Sequence, residues 1–165
     1  MKARRLLLGV IGSLLISLST VAGGTVFAMS PEFEYFHDAG TFVAVDCGTF
    51  LAIEDYSVDI SVATFFDRQG EPERAQIRVN FDGLITNSET GLALRDHAPH
   101  MYVEDLQNGT VTDVGLEFAI TVPGEGITIL DAGRLVFDED GQVSFQGGPH
   151  QFLDGGPALI CAALD

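Results

Sequence analysis

With 165 residues, 46% of them hydrophobic and only 19% charged, the chain is too apolar for a disordered tail and long enough for one cored domain. Its formal charge of −16 excludes a nucleic-acid-binding face, which needs a basic stripe to displace counterions. The same charge is repelled by anionic membrane surfaces.

The first stretch, residues 1–28, has the layout of a secretory signal peptide. Lys2, Arg4 and Arg5 precede the apolar run Leu6 to Leu18, and Val26-Phe27-Ala28 fits the small-x-small pattern before a cleavage site. The mature chain is predicted to begin at or near Met29, to be secreted and to keep no stable membrane association. An uncleaved anchor is the alternative, because the weakly apolar run to Ala28 is long enough to span a bilayer. Gly23-Gly24-Thr25 dilutes its second half and favours cleavage. Removal of the leader leaves Arg68, Arg74, Arg78, Arg95 and Arg134 against 24 acidic residues, a formal charge of −19. A solvated acidic surface is the plain reading of that excess, and convergence of carboxylates on Ca²⁺ the sharper one.

Residues 29–40 have no sustained period and read as an extended N-terminal arm laid over the domain, with Phe33, Tyr35 and Phe36 as anchors. Residues 41–165 read as a single β domain. Thr41 to Glu54 is a first strand interrupted at Cys47-Gly48. Tyr56 to Phe66 alternates cleanly, with Tyr56, Val58, Ile60, Val62, Thr64 and Phe66 on one face, because successive strand side chains point to opposite sides. Gln69-Gly70-Glu71-Pro72 is a turn, after which Ala75, Ile77, Val79 and Phe81 alternate with polar residues.

Asn87 to Gly91 turns the chain again, into Leu92 to Arg95 and then Met101 to Leu106. Between these two runs Pro99 cannot donate to a ladder, so it marks an edge, a bulge or a break. Asn108-Gly109 suits a two-residue hairpin connection. A meander follows from Thr110 to His150, with Leu116, Phe118, Ile120 and Val122 on one face. Its turns are Pro123-Gly124-Glu125-Gly126 and Asp138-Glu139-Asp140-Gly141. Ala158 to Leu164 suits a short terminal helix with Pro157 near its first turn. About eight closely spaced strands joined by turns predict an all-β fold. The preferred architecture is an antiparallel up-and-down β-barrel with a short C-terminal helix, and a two-sheet β-sandwich is the alternative.

Cys47 and Cys161 are the only cysteines. An even count in an exported chain predicts a disulfide between them. The chain-entropy model gives a loop of about 113 residues roughly 4–5 kcal/mol of stabilisation. The order VDCG before a long strand, an NSETG turn, NGT, a Pro-Gly loop, GRLVFDEDGQVSF with GGPH, and CAAL near the end resembles the hypothetical-protein family of small secreted bacterial β-proteins. That resemblance implies an all-β fold and a cysteine pair, and carries no catalytic residue.

His37, His97, His100 and His150 are the first place to look for a metal. His97-x-x-His100 points to opposite faces of a regular strand, and only the Pro99 irregularity brings it closer to His150. The expectation is no transition metal and no cofactor. The Asp138 to Gly141 run reaches glycine too early for a calcium loop and reads as a hairpin. Ser57, Ser61 and Ser88 lack a nucleophile elbow, and no triad follows from residue order. Asp59 lies on the polar face of its strand, either in solvent or pointing into a barrel as an acid or base. Asn108-Gly109-Thr110 matches a glycosylation sequon, with a turn as the simpler reading. No catalytic residue is assigned. The functional expectation is a binding or interaction module for a protein or a small apolar ligand. A barrel enzyme of cyclase or isomerase type, or a structural envelope protein, is the alternative.

Overall fold

The computed structural model describes residues 29–122, 124 and 126–165, without the side chains of Thr128, Leu153 and Asp154. The leader expected over residues 1–28 lies outside the described residues. Seven strands form one sheet: β1 (Glu32–Asp46), β2 (Leu51–Phe66), β3 (Pro72–Asn87), β4 (Ala93–Asp105), β5 (Thr110–Val122), β6 (Gly126–Phe137) and β7 (Val143–Gly147). Their spatial order is their chain order, and every neighbouring pair is antiparallel. The all-β, up-and-down expectation is therefore met, with seven strands instead of about eight. The sheet is not closed: β1 and β7 are its two edges.

Glu32 to Gly40, expected as an arm over the domain, is instead the leading half of β1. It pairs residue for residue with β2, from Glu32 opposite Thr64 to Gly40 opposite Tyr56. Pro99 behaves as its chemistry demands. The ladder to β3 runs through it in register, whereas the ladder to β5 breaks between Asp96 and His100. Both Asx-Gly signals mark turns, but wider ones than a two-residue hairpin. Asp105 pairs with Thr110 across Leu106 to Gly109, and Phe137 pairs with Val143 across Asp138 to Gln142. In each, the leading aspartate accepts backbone N–H groups of the loop, and this holds the wider form.

The chain ends in two short helices, α1 (Gln151–Gly155) and α2 (Pro157–Leu164). Pro157 opens α2 where a missing N–H costs nothing. At its other end the Asn87 side-chain amide donates to the Leu164 carbonyl at 3.0 Å, which satisfies one of the free carbonyls of the last turn. The core lies under these helices. Val45, Ala52, Ile85, Leu94, Ile120 and Ile129 from the sheet and Phe50 from the β1–β2 turn meet Ile160 and Leu164 from α2, and Phe118 packs on Phe152 at 4.8 Å between ring centroids. The Cys47–Cys161 disulfide is formed, with Cα atoms 5.6 Å apart, and joins the β1–β2 turn to α2. The register shift between Leu116 and Phe118 separates Leu116 from the core, so the single face expected for Leu116, Phe118, Ile120 and Val122 keeps only the last three. Among the described residues, no helix is long and apolar enough to cross a membrane.

Candidate functional site

Away from the helices, β1 lies along an open edge. From Glu32 to Phe42 it is exposed on both faces, because among the described residues only β2 pairs with it and no second layer covers it. Phe33 (61% exposed), Tyr35 (76%), Phe36 and Phe42 are all out in solvent. The period of two and the antiparallel register then build rows across the sheet. Tyr35, Ser61 and Arg78 form one row, and His37, Asp59 and Asn80 the next. Together they line an open groove of about 440 Å³. His37 Nδ1 lies 2.8 Å from Asp59 Oδ1, Thr41 hydrogen-bonds Asp55, and the Tyr56 hydroxyl donates to Asp38 at 2.8 Å.

The histidine and aspartate of that groove are both mainly exposed, so their pairing in water adds little stability. Asp59 is thus solvated, not an acid held inside a barrel. Among the described residues no serine hydroxyl bonds a histidine; Ser88 instead accepts the Leu51 N–H. What the edge offers is a row of unpaired backbone donors and acceptors, flanked by aromatic side chains on both faces. An extended peptide can complete that ladder.

A second group sits near the core. Glu54 and Asp96 are both buried, and burial pushes both carboxyls up, to about 8 for Glu54 and about 6 for Asp96. The negative charge of Asp96 raises Glu54 further, while Asp96 is drawn partly back by the N–H groups it accepts, including Ala119 at 3.1 Å. A Cβ at Gly83 would collide with the Glu54 carboxylate, so this glycine, which pairs with Tyr56 and Asp96, leaves the room that the Glu54 side chain occupies. Sequence reasoning missed this pair. Its only local trace is an acidic residue falling on the apolar-side position of a strand, twice.

The histidines do not come together as a set. His97 lies beside Asp82 at 3.0 Å, which lowers the Asp82 carboxyl with help from Arg95. His100 pairs with Val79 and so falls on the opposite face; it stacks edge-on against Tyr102, and burial lowers its pKa. His150 is buried and bridges to Asp131 on β6. Glu117, Asp131 and His150 instead form a cluster, with one ligand atom of each within 4.8 Å of the others. They come from three separate stretches, so no spacing motif announces them.

Comparison with known proteins finds no match: no family model, no curated protein and no solved structure.

Proposed function

We propose that this chain is an exported, disulfide-linked β module that binds a protein partner by strand addition along the free edge of β1. The single observation that carries the reading is the two-sided exposure of Glu32 to Phe42, with its aromatic side chains, in a strand that has one neighbour among the described residues. A long, uncovered edge of this kind is otherwise an aggregation hazard, and a bound strand removes it. The basic leader, its apolar run and the disulfide support export to an oxidising compartment.

The partner is a basic, extended segment. β1 carries Glu32, Glu34, Asp38 and Asp46 and no lysine or arginine, so pairing with a second copy sets acids against acids. A basic strand reverses that sign and gains in on-rate from the strongly negative field of the chain. The open sheet does not supply the closed wall that an apolar ligand in a barrel requires.

The test uses a peptide of about ten residues alternating lysine and valine, and an acidic twin with glutamate for lysine. Binding of the basic peptide alone, protection of β1 amides from hydrogen exchange, and loss of both in Ala39→Pro support the reading. Equal binding of the twins, or protection elsewhere, rejects it. A dimer at micromolar concentration would assign the edge to a second copy instead.

A further inference from the structure

Beside the β5–β6 ladder, three ionisable side chains are gathered where a β-sheet of this size has little reason to bury them. Asp131 is 1% exposed and His150 4%. They face each other across an isolated antiparallel bridge that joins β6 to the start of α1. Glu117, half-buried, falls at the register shift between Leu116 and Phe118 on β5. The strands can crowd here because the residues at their crossing are glycines: a Cβ at Gly133 would strike the Gly147 carbonyl, and Gly133 holds φ +138°.

The hydrogen bonds around the cluster constrain its chemistry. Asp131 Oδ1 accepts the Phe152 N–H at 2.6 Å, which fixes the carboxylate. His150 Nε2 lies 3.4 Å from the Gly147 carbonyl, so that nitrogen carries the proton as donor. Nδ1 is then a buried lone pair, and it has no hydrogen-bond partner. A buried imidazole lone pair with no donor is costly, and a carboxylate oxygen of Glu117 and one of Asp131 lie within 4.8 Å of a nitrogen of the same ring, where a shared cation would offset that cost. Glu117, His150 and Asp113 also border a void of about 10 Å³, far too small for an organic ligand.

We propose that Glu117, Asp131 and His150 form a binding site for one divalent transition-metal ion. The donor set chooses the class. Ca²⁺ and Mg²⁺ take oxygen shells, whereas an imidazole with two carboxylates suits Zn²⁺ and its first-row neighbours. The ligand atoms lie within 4.8 Å of one another, and a tetrahedral ion with bonds of about 2.0–2.2 Å would draw them in to roughly 3.3–3.6 Å, a closure that small side-chain rotations supply. Gly147 and the Phe152 N–H act as the outer contacts that orient histidine and aspartate. The void leaves no room for a substrate, so the ion is a structural clamp between the β5 bulge, β6 and the first turn of α1. The expectation of no metal considers His97, His100 and His150 as a set; this site uses only the last of them, with two carboxylates.

The test is Zn²⁺ titration of the oxidised chain after chelator treatment, followed by calorimetry and thermal denaturation. One equivalent per chain with a melting temperature raised by several degrees is expected. Glu117→Gln and His150→Ala should each weaken binding by at least about tenfold, while His37→Ala and His97→Ala, both at the surface, leave it unchanged. Should His150→Ala fail to fold without metal, the isosteric Glu117→Gln decides by itself. The proposal is overturned by the lack of stoichiometric uptake at micromolar Zn²⁺, by uptake that survives Glu117→Gln or is lost in His97→Ala, or by preference for Ca²⁺ over Zn²⁺.

Discussion

The two ends of the sheet follow the same strand pattern and reach opposite fates. At one end, the terminal halves of β1 to β6 lie under α2, and Ala52, Ile85, Leu94, Ile120 and Leu164 are fully buried. At the other, Ala75, Ile77 and Leu135 are buried, but Val58, Ile60, Val62, Val79 and Phe81 alternate just as regularly and are only half-buried. Nothing in their own spacing differs. A short helix of the length of α2 covers one end of a sheet this long and cannot reach the other. The disulfide and the Asn87–Leu164 hydrogen bond fasten the cover where it is. Stability is therefore concentrated under the helix, and the open end is left to act as a surface.

Removal of the fastening should have the largest effect. Cys161→Ser is expected to lower unfolding stability by roughly 4–5 kcal/mol in the chain-entropy model, read as a drop in the denaturant midpoint. Ile85→Ala and Ile160→Ala, both in the covered core, should each cost about 2–5 kcal/mol. If either costs less than the same change at the open end, the contrast between the two ends fails.

Glu54 and Asp96 add a pH dependence to the covered end. Both carboxyls are raised in the folded state, so the fold holds their protons more tightly than the unfolded chain does. Their contribution is whole at low pH, below the ordinary carboxylate range. It is lost as pH climbs through about 6 for Asp96 and about 8 for Glu54, at up to about 1.4 kcal/mol per pH unit and per group. Stability should thus fall between pH 5 and 8. Glu54→Gln, which mimics the protonated form, should remove roughly 2–4 kcal/mol of that fall. Thermal melts across this range check it, and an unchanged slope in the variant refutes the assignment.

At the open end the effects shrink. Ile60→Ala should cost only about 1 kcal/mol, because its side chain is partly in water already. Tyr35→Ala should stay within about 0.5 kcal/mol of the parent in a denaturant titration. The same substitution should weaken capture of the basic strand peptide, since Tyr35 flanks the edge that receives it. Loss of stability without loss of peptide binding would invert the roles of the two ends.

Much of this architecture can be read from residue order. Strict alternation in β2 and β3, Pro99 as a break and the Asx-Gly turns all act through local backbone sterics, which neighbours in sequence decide. The cysteine pairing follows from a count of two and an expected export. Other features depend on contacts between distant strands. Glu54 falls on a face with alternating apolar residues, but only the space left at Gly83 on the neighbouring strand and the closeness of Asp96 make it a buried, proton-holding acid. Glu117, Asp131 and His150 meet through a bulge and a strand crossing, neither of which has a sequence period. Whether the sheet closes is also a tertiary matter. A period of two tells each strand which side chains share a face, but not whether a seventh strand reaches the first or whether a helix covers that face.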